Sequence, residues 1–305
     1  MLKRFIHKTI LIIIIPTLCF LVAYEVLYRK IPNDFKVKKY HLLKQQDQIE
    51  TLIFGTSHAY NGVDPRFLST KAYNLANDGQ TLLIDKYLFN HYIDSFPNIK
   101  NIIFSVSYHT FTLDTTITKN DIWKTRKNQL YMGLKIKPYY KFRYWLECLY
   151  PEYSSTLIEY YINNEFYNAS DSHGFYFKRP ISPRNFQNLA QLKGHNFNGE
   201  IKTHLSIAKG NQNILESIIE NCNKRNIKVF LLTTPCHHFY QENIDTIQYN
   251  IMKKTIYNIQ QNYPNITYLD FFKDPDFIDE DYDNNNHLSI KGAEKLSKKL
   301  SSYNL

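Results

Sequence analysis

Two segments near opposite ends of the chain contain residues that together could do nucleophilic chemistry. The first, 52–58, is an apolar run that breaks at Gly55 and presents Ser57 just beyond the break. The second, 286–293, places His287 directly before an amphipathic stretch. A serine hydroxyl is a weak nucleophile until a neighbouring base accepts its proton. The pair therefore predicts Ser57 as nucleophile and His287 as its general base, although a turn serine and a loop histidine would explain the same fragments.

The pattern around these segments is that of an α/β domain. Apolar runs predict strands at 51–54, 72–75, 101–106, 228–234 and 266–271. Helical periodicity falls between them, at 81–92, 211–226, 244–262 and 290–303. This alternation predicts a parallel sheet with helices on both faces, and the residues that follow its strands meet at one edge. The residues expected at that edge are Ser57, Gly79, Ser107, His237 and the loop that holds Asp283 and His287.

The order of these segments resembles the SGNH/GDSL hydrolase superfamily. In that family the nucleophile follows the first strand in a Gly-Asp-Ser-like block, and an Asp-x-x-His block precedes the last helix. Here 55–58 reads Gly-Thr-Ser-His and 287–293 reads His-Leu-Ser-Ile-Lys-Gly-Ala. The chain is most similar to membrane-anchored members found beside bacterial polysaccharide genes, because 74–76 reads Asn-Leu-Ala and 233–235 reads Thr-Thr-Pro. The resemblance covers about residues 48–303 and implies a three-layer, flavodoxin-like SGNH fold.

The resemblance also implies an activity: a serine esterase or O-acyltransferase acting on O-acyl groups, O-acetyl first among them, of a cell-surface polysaccharide. The catalytic residues would be Ser57, His287 and Asp283. The oxyanion would be bound by the backbone N–H groups of Ser57 and Gly79, with Asn77 as a side-chain donor. This chemistry needs no metal ion and no organic cofactor. The implied partners are an acylated carbohydrate, the membrane and a membrane-bound acyltransferase, and the implied location is the bacterial cell membrane with the catalytic domain outside the cytoplasm.

The chain departs from the family's pattern in two blocks. Where the family has an oxyanion-binding asparagine, 105–109 reads Ser-Val-Ser-Tyr-His, and loss of one such donor lowers turnover by about 10²–10³. Asn284 stands three residues before His287, and Asp283 stands four before it. Because an acid-to-amide exchange in a serine triad lowers turnover by about 10⁴, Asp283 is expected to reach the imidazole through a rearranged loop. Asp281, or a Ser-His pair with no acid, are the alternatives.

These departures leave a second hypothesis open. The domain could be a catalytically inactive SGNH-like domain that binds glycan or assists a membrane acyltransferase. Substitution of Ser57 by alanine would then leave biological function intact.

Cys236, His237 and His238 follow the fourth predicted strand and carry groups that can ligate zinc. A second pair of ligands with suitable spacing does not accompany them in the sequence, so a metal site is not predicted. One of the two histidines is instead expected to line the substrate cleft or to lie on the surface. The four cysteines show no paired spacing and predict no disulfide framework.

The first 28 residues predict a membrane anchor. Lys3, Arg4 and Lys8 precede an apolar run at 9–28, and twenty helical residues span about 30 Å, the thickness of the hydrocarbon core. A cleaved signal peptide is the alternative, but the run is long and no Ala-x-Ala-like site follows it. We therefore expect an anchor at 1–28, a polar stalk at 29–47 and an SGNH-like domain at 48–305. Basic residues flank the span on both sides and leave its orientation open.

The interval 110–203 fits neither strand–helix alternation nor low complexity, and its aromatic segments, 139–145 and 173–179, predict an inserted cap over the substrate. Stacking of aromatic rings on a sugar would suit such a cap, although most of these rings are expected in packing. The net charge of +9 is spread along the chain without a nucleic-acid motif, so no nucleic-acid partner is predicted. A positive surface would attract anionic lipid or an acidic polymer.

Overall fold

Five short strands form a parallel sheet at the centre of the computed structural model, which describes residues 2–114, 122–137, 142–150, 155–165, 170–177, 184–188, 192, 196 and 201–303. The strands are β1 (Thr51–Phe54), β2 (Ala72–Asn74), β3 (Asn101–Ser105), β4 (Lys228–Thr233) and β5 (Ile266–Asp270). Their order is β2-β1-β3-β4-β5, and each neighbouring pair is parallel. In a sheet of this order the chain reverses its winding between β1 and β3, which opens a crevice at the carboxyl ends of those strands.

Helices connect the strands and cover the sheet. They are α1 (Leu2–Thr9), α2 (Ile15–Lys30), α3 (Asp34–Lys44), α4 (Ser57–Gly62), α5 (Leu82–Tyr92), α6 (Ile122–Lys127), α7 (Ser155–Tyr161), α8 (Ile201–Lys224), α9 (His238–Asn243), α10 (Thr246–Asn262) and α11 (Ile290–Ser301). Shorter 3₁₀ turns include Phe142–Trp145, Glu147–Leu149 and Asp279–Asp281.

Alternating side chains of each strand enter two separate cores. Leu52 and Phe54 of β1 belong to the larger core, whereas Ile53 belongs to the core on the opposite face. In β3, Phe104 and Ile103 divide in the same way. Both faces are apolar because helices cover both, as parallel sheets require. The sequence prediction of a parallel α/β sheet is confirmed, and β2 to β5 each end one residue before the predicted position.

Outside the sheet, two helices differ from the sequence prediction. Helix α8 begins at Ile201, ten residues before the predicted start at 211 and inside the predicted insertion. Helix α3 occupies the predicted stalk, and its Lys38 and Leu42 are buried against the domain. The domain boundaries at 28, 47, 110 and 203 stay predictions. Residues 139–141 and 178–179, in the aromatic-rich segments of the predicted cap, lie outside the described residues. Tyr144 and Phe175 are buried in packing.

The N-terminal helix, Lys3–Lys30, is long and apolar enough to cross a membrane, by length and composition, and a signal sequence would pass the same test. A π turn at Ile10–Ile14 precedes Pro16, whose ring and missing N–H disturb the regular helical ladder. Apolar side chains between Ile10 and Leu27 are exposed. The last two turns are different, because Tyr24 and Tyr28 are buried against the rest of the protein.

Candidate active site

Ser57 lies at the carboxyl end of β1, as the first residue of α4. Gly55 precedes it with a φ of +125°, and a Cβ at this position would lie 2.8 Å from the Cβ of Ser105 on the neighbouring strand. Only glycine therefore allows β1 and β3 to approach here before the chain turns. Thr56 caps α4 by accepting a hydrogen bond from the backbone N–H of His58 (3.3 Å). The turn lifts a half-buried Ser57 above the sheet edge.

Asn74, the asparagine of the Asn-Leu-Ala segment, supports helix α4 through its side chain. The side chain of Asn74 is buried at the end of β2, and its Nδ2 donates to the backbone carbonyls of Ala59 and Val63, both at 2.9 Å. These carbonyls belong to the third residue of the short helix and to the residue after it. Asn74 therefore fixes the direction in which α4, and Ser57 at its start, leaves the sheet.

His287 meets Ser57 across the sheet edge. The distance from His287 Nε2 to Ser57 Oγ is 2.8 Å, a hydrogen-bond distance across 230 residues of sequence. The loop that carries His287 is fixed at both ends: Tyr282 and Leu288 form an antiparallel bridge, and Ser289 caps α11 by accepting from the Gly292 N–H (3.2 Å). At this distance the hydroxyl and the imidazole share one hydrogen bond.

The other ring nitrogen of His287 contacts an amide. Asn284 Nδ2 lies 3.1 Å from His287 Nδ1. The orientation of this amide is set by its oxygen, which accepts from the backbone N–H groups of Asn286 (3.1 Å) and His287 (3.0 Å). An amide nitrogen that faces Nδ1 favours the tautomer with the ring proton on Nε2, the nitrogen that faces Ser57. In this tautomer the imidazole donates to Ser57 Oγ rather than accepting from it.

The two candidate acids occupy different positions. Asp283 is half-buried and donates its backbone N–H to the His287 carbonyl (3.0 Å), so its role as the orienting acid stays a prediction. Asp281 is fully buried, and its Oδ2 accepts from Lys295 Nζ (2.6 Å) and the Ile278 N–H (3.1 Å). Asp281 therefore ties the His287 loop to α11.

The loop after β2 forms the opposite wall. Gly79 has a φ of +56°, a left-handed conformation that favours glycine. Ser57 begins a helix, so its N–H has no intrahelical acceptor. The Asn77 N–H donates to the Gly55 carbonyl (3.2 Å), and Asn77 Oδ1 accepts from the Asp78 N–H (2.9 Å). Asn77 thus shapes the turn that presents Gly79, and it is not among the described residues that line the cavity.

A buried carboxyl group connects the loops after β1 and β2. Asp85 Oδ1 accepts from the Gly55 N–H (3.3 Å) and from Gln80 Nε2 (2.6 Å). Gln80 Nε2 also donates to the Leu75 carbonyl (3.2 Å). Burial raises the pKa of Asp85 to about 7, although its hydrogen bonds with Gln80 and Gly55 act in the opposite direction. The sequence analysis missed this residue, and its signal was an acid directly after the apolar start, Leu-Leu-Ile, of helix α5.

These walls enclose a cavity of about 310 Å³. Residues from five parts of the chain line it, among them Ser57, Gly79, Leu82, His109, Lys124 and His287. Ser105, the last residue of β3, also lines it. Ser107 is buried and donates its N–H to Thr110 Oγ1 (2.7 Å), so it forms a turn behind the site. Lys124 lies in the predicted insertion, and no sequence motif marks it as a residue of the site.

His237, His238 and Asp279 place three possible ligand atoms within 4.8 Å of one another. His237 Nδ1 accepts from the Phe239 N–H (3.2 Å), and Nε2 lies 3.2 Å from Asp279 Oδ1. A neutral ring that accepts at Nδ1 carries its proton on Nε2 and donates it to the carboxylate. A metal ion at Nε2 would need that nitrogen's lone pair, so the geometry favours a structural hydrogen bond. Phe186 stacks on the ring at 4.1 Å.

Comparisons with known proteins leave the family of this chain open. A family model and a curated protein that match it were both sought, and none was found. One solved structure, provisionally described as a platelet activating factor from Streptococcus pneumonia, aligns with a TM-score of 0.44 and 14% identity over 95% of this chain and 97% of that chain. The assignment of function therefore depends on the site itself.

Proposed function

We propose that this protein is an SGNH-type serine esterase or O-acyltransferase. The observation that carries the proposal is the 2.8 Å contact between Ser57 Oγ and His287 Nε2 at the mouth of a cavity. The cavity lies at the carboxyl edge of a parallel sheet in the order β2-β1-β3-β4-β5, where ligands bind in sheets of this kind. We also propose that this architecture is the three-layer, flavodoxin-like SGNH fold.

In the proposed mechanism, Asp283 orients the reactive tautomer of His287, which carries its ring proton on Nδ1. Nε2 then takes the hydroxyl proton of Ser57 as Oγ attacks the ester carbonyl carbon. The carbonyl oxygen becomes an oxyanion, which the backbone N–H groups of Ser57 and Gly79 bind. As the tetrahedral intermediate collapses, His287 gives its proton to the leaving alkoxide and an acyl-serine remains. Water or a sugar hydroxyl then attacks the acyl-serine, with His287 again accepting the proton, and Ser57 is released.

The proposed substrate is the O-acyl group, O-acetyl in the simplest case, of a cell-surface polysaccharide. Two features support it. A cavity of about 310 Å³ is at the small end of the range for ligand sites, which suits a short acyl group with one sugar ring at its entrance. The apolar helix Lys3–Lys30 would hold the domain at the outer face of a bacterial cell membrane, where such polymers are modified.

Fluorophosphonate labelling of the full chain in detergent micelles tests the proposal. These reagents react with serines that a neighbouring base activates. We expect labelling of the unmodified chain, loss of labelling in Ser57→Ala and His287→Ala, and unchanged labelling in the exposed-site controls Ser302→Ala and His238→Ala. A folded chain that stays unlabelled would contradict the proposal.

One observation favours a second candidate, a catalytically inactive SGNH-like domain that binds glycan or assists a membrane acyltransferase. Asn284 Nδ2 at 3.1 Å from His287 Nδ1 favours the tautomer that cannot accept the Ser57 proton. Under this alternative the chain stays unlabelled, and Ser57→Ala retains glycan binding. The labelling experiment therefore separates the two candidates.

A further inference from the structure

A lysine from the insertion reaches the proposed oxyanion loop. Lys124, on α6, lines the cavity, and its Nζ lies 3.5 Å from the Gly79 carbonyl oxygen. A Cβ on Gly79 would collide with this ammonium group. The positive φ favours glycine at position 79, and the end of the Lys124 side chain occupies the space that a Cβ would fill. The result is a cation directly beside one of the two proposed oxyanion donors.

The position of Lys124 is fixed by the elements around it. Asn128 Nδ2 donates to the Lys124 carbonyl (3.0 Å). In the next turn, Arg126 and Lys127 both bind the buried carboxylate of Glu147, with 2.9 Å from Lys127 Nζ to Glu147 Oε1. Burial alone would raise the pKa of Glu147, but Lys127 and Arg126 outweigh it and hold the pKa below its ordinary value. The carboxylate thus stays charged and holds α6 against the cavity.

The charged groups that face the cavity differ in sign and in exposure. Within the described lining, Lys124 supplies the one lysine or arginine side chain, and Asp78 and Asp85 supply the carboxyl groups. Burial raises the pKa of Asp85 to about 7, so a large share of this group is neutral near neutral pH. Asp78 is exposed on the loop. An ester bound at Ser57 therefore meets the Lys124 ammonium group beside Gly79, with the exposed Asp78 carboxylate as the opposing charge.

We propose that Lys124 is a specificity-determining residue, which makes the site prefer acyl esters that carry a carboxylate or a phosphate close to the ester group. This inference rests on the proposed function and names its substrate class as an acidic, O-acylated glycan. The Lys124 ammonium forms a charge-assisted hydrogen bond with the acidic substituent. Ester substrates without such a substituent bind at Ser57 without this contact.

The test compares matched esters on the full chain in detergent micelles. The esters are 4-acetoxybenzoate, 4-acetoxyphenyl phosphate and the neutral 4-acetoxybenzamide, and the measured quantity is kcat/KM for each. The two acidic esters separate a carboxylate preference from a phosphate preference. The variants are Lys124→Met, Lys124→Glu and Lys124→Arg. The control is Lys224→Met, which removes an exposed charge at the end of α8.

We expect Lys124→Met to lower the ratio of acidic to neutral kcat/KM about tenfold, the size of one charge-assisted hydrogen bond. Lys124→Glu should lower the ratio further, and Lys124→Arg and Lys224→Met should keep it. Asp78→Asn should raise it, because an opposing charge is removed. An unchanged ratio in Lys124→Met, or an equal loss on all three esters, would overturn the inference.

A binding measurement keeps this inference separate from the proposed function. The amides 4-acetamidobenzoate and 4-acetamidobenzamide resemble the esters, and their dissociation constants are measured by calorimetry. We expect tighter binding of the acidic amide, lost in Lys124→Met, whether or not the chain turns over esters. Absence of turnover with a retained charge preference would contradict only the proposed function. Equal affinity for the two amides would contradict the role of Lys124.

Discussion

The amide of Asn284 favours one of the two neutral tautomers of His287. Its oxygen is held by two backbone N–H groups, so its Nδ2 donates to His287 Nδ1 at 3.1 Å. A carboxylate at this position could accept the same two N–H groups with one oxygen and the Nδ1 proton with the other. The proton would then leave Nε2, which would become free to accept from Ser57.

Asn284→Asp should therefore raise kcat for a neutral acetyl ester. The reverse exchange in a serine triad lowers kcat by about 10⁴, so a gain of at least tenfold is expected if the wild-type chain lacks an orienting acid. Steady-state kinetics measures it, with the exposed Asn258→Asp as control. If Asp283 already orients the imidazole, Asn284→Asp gives no gain and Asp283→Asn causes the loss instead. The two variants together identify the acid.

At the scale of the elements, Asp85 couples the loops after β1 and β2, and this coupling depends on pH. Burial raises the pKa of Asp85 from 3.8 to about 7 in the folded state. Between these values the folded chain binds more protons than the unfolded chain, so this group lowers the free energy of unfolding as pH rises, by at most about 1.4 kcal/mol per pH unit. Above about pH 7 the effect is complete.

Asp85→Asn should remove this dependence, because asparagine keeps an oxygen for the Gly55 and Gln80 donors and does not ionise. We expect the melting temperature of the variant relative to wild type to rise between pH 5 and pH 8. Thermal unfolding of both full chains at the two pH values measures it, and the comparison cancels other titrating groups. A difference that stays constant with pH would show that Asp85 does not titrate in this window.

The local sequence pattern predicts the strands of the sheet, but it does not predict all of the helices. Branched and aromatic runs bounded by turn residues identify buried strands, and each of the five strands ends within one residue of its predicted end. Helix α3 was missed because it reads as polar, yet tertiary contacts bury Lys38 and Leu42. Helix α4 spans only 6 residues, too few for periodicity to register.

The candidate site also contains some residues that the sequence predicts and others that it does not. The positions of Ser57 and His287 at one sheet edge follow from strand order and could be predicted. The contact of Asn284 with Nδ1, the link through Asp85 and the approach of Lys124 to Gly79 depend on side-chain directions in loops. Loop geometry has no sequence period, so these residues were identified from the structure alone.

For the whole molecule, the end of the apolar helix is part of the folded domain. Glu25 Oε2 accepts from the Cys148 N–H (2.9 Å), and Tyr161 OH donates to the Leu27 carbonyl (3.0 Å). Tyr24 and Tyr28 are only 9% and 6% exposed. Lys127 Nζ lies 4.6 Å from the centre of the Tyr28 ring. The helix therefore packs on the same cluster that holds α6 and Lys124.

Two truncations should separate membrane anchoring from this packing. A chain that begins at Val22 keeps the buried tyrosines and Glu25, whereas a chain that begins at Ile31 loses them. Full burial of one large apolar side chain stabilises by about 1.5–3 kcal/mol, so the shorter chain should melt at a lower temperature than the longer one. Its preference for acidic esters should also weaken, because the Glu147 cluster that positions α6 loses its cover. Equal melting temperatures and equal ester preferences would mean that the helix acts only as a tether.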